Sequence, residues 1–210
     1  MQVVGYWSSR RSLPIVLIVA GFAALGVFAC FMVALETIST PGPELTSQLA
    51  VAASLLILFP ERSSARCVMR LALSLLIVGC ALGFVWVALF SPRGEVSFID
   101  VGSLPTSSIV LSFLGTALIT PLFEEKIVRG LILRGLASKL GPVWSSVVVS
   151  IGFALAHWQS MLWAFVASLV LCVIFFKTKM STLGCVVVHG VANAVIMTWH
   201  FTHGFSAILH

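Results

Sequence analysis

Charged residues are scarce in this chain of 210 residues. Asp, Glu, Lys and Arg together make up 9% of the sequence, whereas 60% of the residues are hydrophobic and the mean hydropathy is +1.13. So few charges cannot cover the surface of a water-soluble domain, which excludes a cytosolic globular protein, a nucleic-acid-binding protein and a disordered chain despite the net charge of +5. The composition predicts an integral membrane protein.

The sequence also lacks the residue patterns of several kinds of enzyme and metal protein. Its five cysteines form no CxxC pair, so neither a disulfide framework nor a structural zinc site is predicted. Asp100 is the only aspartate, which excludes an intramembrane protease with two catalytic aspartates. The chain contains no H-E-x-x-H zinc motif and no G-x-S-x-G or G-x-S-G serine motif.

The sequence contains several hydrophobic runs of about membrane-spanning length. A spanning helix needs about 20 mostly apolar residues. The runs that reach this length are residues 13–35, 68–90 and 182–201. The shorter or interrupted candidates are residues 45–60, 109–136, 143–157 and 161–176. The sequence therefore predicts an all-α, polytopic membrane helix bundle of about seven transmembrane helices.

Basic residues are concentrated in every second connection between these runs. They are Arg10 and Arg11, then Arg62, Arg66 and Arg70, then Arg134 and Lys139, then Lys177 and Lys179, whereas the alternate loops contain only Arg93. The positive-inside rule then predicts a cytoplasmic amino terminus and a carboxyl terminus outside. We expect one integral membrane domain over residues 1–210, located in the bacterial inner membrane, with the lipid bilayer and no nucleic acid as partners.

Two acidic residues are predicted inside the membrane. Five of the seven acids fall in predicted loops, where water would solvate them: Glu36, Glu44, Glu61, Glu95 and Asp100. Glu124 and Glu125, with Lys126 and Arg129, fall in the segment 109–136. A charge at the bilayer centre costs about 2.5–3.5 kcal/mol on insertion scales, so such residues indicate a functional site. The alternatives are a structural ion pair, or a span whose charged part lies in the cytoplasm.

Helical spacing predicts different surroundings for the two glutamates. Glu125 and Arg129 are four residues apart and share one face, as an ion pair requires. Glu124 is rotated by about 100° and can point toward another helix. Pro121 removes a helical hydrogen bond and is expected to loosen or kink the turn before the acids.

Two histidines and an asparagine add polar groups to neighbouring spans. Phe153 and His157 are one turn apart at the end of the fifth span, and His189 and Asn193 repeat that spacing in the seventh. Each polar residue alone is typical of a helix-packing hydrogen bond, but bringing all of them to one water-filled cavity would satisfy most of them. The remaining histidines, His200, His203 and His210, are expected at a solvated outer end.

These residues resemble the motifs of the CAAX protease and bacteriocin-processing family of glutamic intramembrane endopeptidases. The motifs E-E-x-x-x-R, F-x-x-x-H and H-x-x-x-N occur in order at Glu124 to Arg129, Phe153 to His157 and His189 to Asn193. The resemblance covers about residues 105–200, as a protease-like core, and leaves residues 1–104 as variable amino-terminal spans. Lys126 and Val128 depart from the family pattern, which bears on substrate fit more than on chemistry.

The resemblance implies a metal-free peptidase in which a carboxylate and a histidine activate water against a peptide carbonyl. By matching positions, Glu124 would be the general base and His157 its partner, while His189 and Asn193 would stabilise the oxyanion. Glu125 and Arg129 would form a supporting ion pair, with Phe153 beside them. Family substrates include prenylated carboxyl-terminal peptides, bacteriocin precursors and membrane-anchored sorting signals, and this sequence does not distinguish them.

Other functions stay open at the level of sequence. Glu124, His157 and His189 are a chemically possible zinc ligand set, although no cofactor is expected. A non-catalytic membrane scaffold or bacteriocin-immunity-type protein of the same fold could keep the polar cluster for helix packing. A small transporter is a third alternative. The favoured prediction is an endopeptidase that acts near the end of a membrane-associated peptide or protein.

Overall fold

The fold is taken from a computed structural model of the chain, which describes residues 13–37, 42–61, 65–90, 98–99, 105–179, 181–203 and 205–206. The amino-terminal helices are α1 (Leu13–Thr37), α2 (Pro43–Leu58), α3 (Ala65–Arg70) and α4 (Ala72–Phe90). The carboxyl-terminal helices are α5 (Thr106–Leu114), α6 (Thr120–Glu125), α7 (Arg134–Ala156), α8 (Met161–Lys177) and α9 (Thr182–His203). Two strands of two residues, β1 (Phe98–Ile99) and β2 (Phe205–Ser206), pair antiparallel.

The predicted helical membrane bundle is confirmed. Each of the seven predicted spans falls on a helix or a continuous run of helical segments, with α3 and α4 together forming the third span. By length and composition, five helical stretches of the described residues can cross a membrane, and α2 is a shorter apolar helix. One of these stretches runs from Thr106 to Ala156 and contains two predicted spans.

Gly141 divides this long stretch into two arms. Its φ of 77° lies in the left-handed region that a residue with a side chain rarely adopts, and Pro142 follows it. The chain therefore turns at this point, and Pro142 begins the arm that ends at Ala156. A short 3₁₀ turn (Trp158–Ser160) then leads into α8.

Glycines allow the helices to approach closely. A Cβ atom at Gly79 would lie 2.8 Å from the carbonyl oxygen of Val188, and one at Gly83 would lie 2.8 Å from that of Ala192. These glycines are one turn apart on α4 and face α9, an arrangement typical of small-residue packing between membrane helices. The helix that carries His189 and Asn193 is thus held directly against α4.

The outward surface is apolar and the interior contains charges. Ile57, Leu73 and Leu162 are more than 70% exposed, as expected for side chains that face lipid. Glu125, Lys126 and Arg129 are buried instead. The protein is therefore an integral membrane protein whose helices enclose a charged centre.

Two sequence-based expectations about polar residues are wrong. Glu61 is not a solvated loop residue, because its side chain is only 13% exposed and is bound to Lys126. His200 is not at a solvated end, because its ring is buried with its centroid 5.5 Å from that of Trp86. His203 is exposed as expected and stacks on Trp199. The residues of the charge pattern that lie outside the described residues are Arg10, Arg11, Arg62, Arg93, Glu95 and Asp100, and His210 lies outside them as well.

Candidate active site

The helix that carries the glutamates is irregular on both sides of them. A π-helical segment (Gly115–Ile119) precedes α6, and a second one (Lys126–Leu133) follows it. Such segments are rare and occur frequently at functional sites. The loosening predicted from Pro121 is therefore present, and it continues beyond the acids.

Pro121 explains the contacts of the first π-helical segment. In this segment the N–H of Thr120 donates to the carbonyl of Gly115, five residues earlier. The next donor in this pattern would be residue 121, but proline has no N–H, so the carbonyl of Thr116 lacks a partner from its own helix. The side-chain amide of Asn193 donates to that carbonyl oxygen at 2.9 Å.

Gly190 makes this contact between the helices possible. A Cβ atom at this position would lie 2.5 Å from the carbonyl oxygen of Ala117, closer than any side chain allows. Gly190 and Asn193 are three residues apart on α9 and meet adjacent carbonyls of the same π-helical turn. The part of α9 that carries the H-x-x-x-N motif thus packs directly on the backbone whose hydrogen bonding Pro121 interrupts.

Glu125 is held at the centre of a buried network. The guanidinium Nη1 of Arg129 donates to Glu125 Oε1 at 2.9 Å, and both side chains are fully buried. The Nη2 of Arg129 donates to the hydroxyl of Ser168 at 2.7 Å, which ties the pair to α8. The guanidinium also lies over the ring of Phe153, 4.8 Å from its centroid.

His189 connects the two glutamates. Its Nδ1 lies 2.9 Å from Glu125 Oε1, and because a carboxylate oxygen only accepts, Nδ1 carries the hydrogen. Its Nε2 faces Glu124 Oε2 at 3.9 Å, which is too long for a direct hydrogen bond. The imidazole is therefore oriented by one acid and directed at the other.

Glu124 differs from Glu125 in exposure and in partners, since Glu125 is fully buried and accepts two hydrogen bonds at Oε1, although its Oε2 has none. The Glu124 side chain is 21% exposed, and its Oε2 atom is buried with no hydrogen-bond partner among the described residues. His157 lies within electrostatic reach of this carboxylate. The available carboxylate predicted from helical spacing is thus Glu124, and the held one is Glu125.

His157 lies just beyond the end of α7. The predicted neighbours Phe153 and His157 stack with ring centroids 4.3 Å apart. The Nδ1 of His157 donates to the carbonyl oxygen of Phe153 at 2.8 Å, which leaves Nε2 as the other ring nitrogen. The helix ends at Ala156, and His157 lies between this end and the 3₁₀ turn that begins at Trp158.

The alternative zinc ligand set is not assembled. Within the part of the chain that the structure describes, no three His, Cys, Asp or Glu side chains form a group that could hold a metal ion. As the structure places them, Glu124, His157 and His189 therefore form no such group.

Lys126, which follows Glu125 directly, belongs to a second polar cluster. Its ammonium donates to Glu61 Oε1 at 2.9 Å and to the carbonyl oxygen of Phe59 at 2.7 Å. Burial acts to raise the pKa of the Glu61 carboxyl, but the charge of Lys126 and the backbone N–H of Thr182 outweigh it and hold that pKa below its ordinary value. The charge of Lys126 is therefore neutralised by Glu61.

Sequence reasoning missed Ser168, Gly190 and Glu61. Ser168 is a small hydroxyl residue in an apolar helix and gives no signal of a partner 39 residues away. Gly190 could be recognised only after Pro121 was linked to α9. Glu61 follows an apolar run directly, and this position after a helix end was the one available indication that it could turn inward.

One comparison with known proteins gives a match. Residues 106–195 match the family model described as type II CAAX prenyl endopeptidase, Rce1-like. Comparison with curated proteins and with solved structures gives no match. The matched residues begin with α5, include all three motifs and end in α9. The predicted resemblance is confirmed, because residues 106–195 of this membrane protein are similar to the Rce1-like family over the segment that carries all three motifs.

Proposed function

We propose that this protein is an intramembrane endopeptidase that hydrolyses a peptide bond near the end of a membrane-associated substrate, with Glu124 and a histidine activating the attacking water. The family of the matched segment is one of endopeptidases, which supports peptide hydrolysis in general. The apolar helices support a lipid environment and a substrate that reaches the site from the membrane. We propose the bacterial inner membrane as its location.

The contrast between the two adjacent carboxylates is the observation that carries this proposal. Oε1 of Glu125 accepts hydrogen bonds from both Arg129 and His189, so Glu125 is committed to holding the site together. Glu124 Oε2 has no such partner among the described residues. A general base must be within reach of a water and free to accept its proton. Glu124 would meet both conditions, because its side chain is 21% exposed and its Oε2 has no hydrogen-bond partner among the described residues.

The gap between Glu124 and His189 suits a water molecule. A water about 2.8 Å from each atom can bridge two atoms separated by 3.9 Å. Glu124 would take a proton from this water as its oxygen attacks the peptide carbonyl carbon. The same proton would then pass to the leaving amine, so that peptide and water yield a carboxylic acid and an amine.

The remaining polar groups are proposed to assist at defined stages. Nε2 of His157 would help orient the water as the partner of Glu124. Protonated Nε2 of His189 and the second amide hydrogen of Asn193 would donate to the oxyanion, where donors fixed in a dry site are most effective. Glu125 and Arg129 would keep His189 oriented throughout, with Phe153 packed against the guanidinium.

Replacing Glu124 tests the proposal. Glu124→Gln keeps size and hydrogen bonding but cannot accept a proton at neutral pH, so kcat should fall by about 10²–10⁴. Cleavage of membrane-anchored peptides by the purified, folded protein is the measurement. Glu36→Gln makes the same change at an exposed position of α1 and should leave cleavage unchanged. Full cleavage by the Glu124→Gln protein would contradict the proposal.

Removal of metal ions separates this mechanism from a zinc enzyme. The activity should survive dialysis against a strong chelator, because the proposed steps use only side chains and water. Bound metal and peptide cleavage are measured on the same sample before and after chelation. Loss of cleavage that zinc alone restores would overturn the metal-free assignment.

A non-catalytic scaffold or immunity-type protein is the second candidate function. The contact of Asn193 with the backbone of Thr116 favours it, since a polar side chain there already serves helix packing. A scaffold should tolerate Glu124→Gln, because the amide preserves the shape of the carboxylate. Loss of cellular activity at unchanged abundance would exclude this candidate.

A further inference from the structure

Glu61 joins three helices at one point. Its Oε1 accepts a hydrogen bond from Lys126 at 2.9 Å, and its Oε2 accepts one from the backbone N–H of Thr182 at 2.8 Å. The hydroxyl of Thr182 lies 2.9 Å from both carboxylate oxygens. Glu61 follows α2, Lys126 follows α6, and Thr182 is the first residue of α9.

A glycine provides the space for this carboxylate. A Cβ atom at Gly130 would lie 3.1 Å from Glu61 Oε1 and 3.2 Å from Cγ2 of Thr182. Gly130 is four residues after Lys126, so the carboxylate lies in a notch on the second π-helical segment. The absence of a side chain at Gly130 thus leaves the space that the Glu61 carboxylate occupies between the helices.

Each partner of Glu61 lies on the same helical stretch as a residue of the proposed site. Lys126 directly follows Glu125, and Thr182 is seven residues, or two helical turns, before His189. Because an α-helix is rigid over two turns, the position of Thr182 along the axis of α9 determines that of His189. The position of Lys126 along its helix determines that of the adjacent Glu125 in the same way.

The contacts of Glu61 with Lys126 and Thr182 are also electrostatically favourable. The side chains of Lys126 and Glu61 are only 2% and 13% exposed, and removing one charge would leave the other buried without compensation. The carboxylate also accepts from the first N–H of α9, where a helix favours a negative charge. One side chain therefore neutralises a lysine and caps the helix that carries His189.

We propose that Glu61 is a positioning residue that fixes α6 and α9 relative to each other along their axes, so that His189 is bonded to Glu125 and faces Glu124. The inference rests on the proposed function for its kinetic consequence. It assigns a role in the site to a residue outside the matched segment, contributed by the amino-terminal helices. It also identifies Glu61 as the partner of Lys126, which departs from the family pattern.

The test combines a spectroscopic signature with kinetics on folded protein. With ¹⁵N-labelled histidine, the Nδ1–H of His189 should give a downfield, slowly exchanging resonance, identified by its loss in His189→Gln. Glu61→Gln and the shorter Glu61→Asp should shift or broaden this resonance. Both should lower kcat by about 10- to 100-fold, as expected for a misplaced catalytic group, with KM within about twofold. Glu36→Gln is the matched control and should change neither readout.

Each outcome decides the proposal. An unchanged His189 resonance and unchanged kcat in folded Glu61→Gln protein would overturn it. If Glu61→Gln does not fold, Thr182→Val removes one donor while keeping the ion pair, and it should shift the resonance in the same direction by a smaller amount. In that case an unchanged resonance in Thr182→Val overturns the proposal. If the wild-type protein cleaves no peptide, the proposed function fails, while the resonance still decides whether Glu61 positions α9.

Discussion

Helices α1–α4 and the segment from α5 to α9 bury very different side chains. Among the described residues of α1–α4, the buried polar side chains are those of Ser47 and Gln48. The segment from α5 to α9 buries two cations, an acid, two histidines and several hydroxyl residues. The first region is held by apolar and glycine packing, whereas the second contains a charged network that has to be satisfied internally.

This difference assigns separate tasks to the two regions. The glycines of α4 hold α9 in place by close backbone contact, and Gly21 of α1 leaves space for the side chain of Ile132. The polar segment supplies the proposed chemistry. Variants can therefore be chosen that disturb one region and leave the other intact.

Breaking the charged network should have the largest effect on stability. Arg129→Met leaves Glu125 buried and without its cation, so unfolding should become easier by about 3–5 kcal/mol. The midpoint of unfolding in mixed detergent micelles is the measurement. The double variant Arg129→Met with Glu125→Leu removes both charges and should recover much of this loss. Equal destabilisation by the single and double variants would contradict the assignment of the network as an ion pair.

Disturbing the glycine contact in the apolar region should have an intermediate effect. In Gly83→Ala the new Cβ meets the carbonyl oxygen of Ala192, which cannot move away, so a loss of about 1–3 kcal/mol is expected. Gly26→Ala is the matched control, since a Cβ there meets nothing within 4 Å. The control should be neutral or gain up to about 1 kcal/mol from higher helix propensity. The same unfolding assay measures both, and equal effects would refute the close contact.

Asn193 contributes to helix packing and is also a proposed oxyanion donor. Its removal should have the smallest effect on stability. Asn193→Ala leaves the Thr116 carbonyl without its donor and should cost about 0.6–1.7 kcal/mol, as for other hydrogen bonds between membrane helices. Adding Pro121→Ala supplies a backbone N–H to the same turn and should restore the stability. Cleavage should stay low in the double variant, because the oxyanion donor is still missing. Recovery of cleavage together with stability would assign Asn193 to packing alone.

The sequence was sufficient for the helices because hydrophobic length and charge scarcity act locally. The spans predicted at 13–35 and 182–201 correspond to α1 and α9 within a few residues. The ion pair of Glu125 with Arg129 was also predictable, since it depends on a spacing within one helix.

Contacts between helices could not be predicted from the sequence. The approach of His189 to Glu125 joins residues 64 positions apart, and helical period says nothing about such distances. The residues next to Glu61 in the sequence predict that it is solvated, whereas its burial follows from its contacts with Lys126 and Thr182. The π-helical segments were only partly foreseen from Pro121, since the second one begins after the acids.

The length of α2 has a consequence for the surrounding lipid. At 1.5 Å per residue, its 16 residues extend about 24 Å, less than the hydrocarbon thickness of about 30 Å. This helix contacts the helix of the glutamates through Gln48, which accepts a hydrogen bond from the hydroxyl of Thr120. Because a bilayer can accommodate a short helix by thinning around it, we expect the acyl-chain length of the host membrane to influence how the site is hydrated.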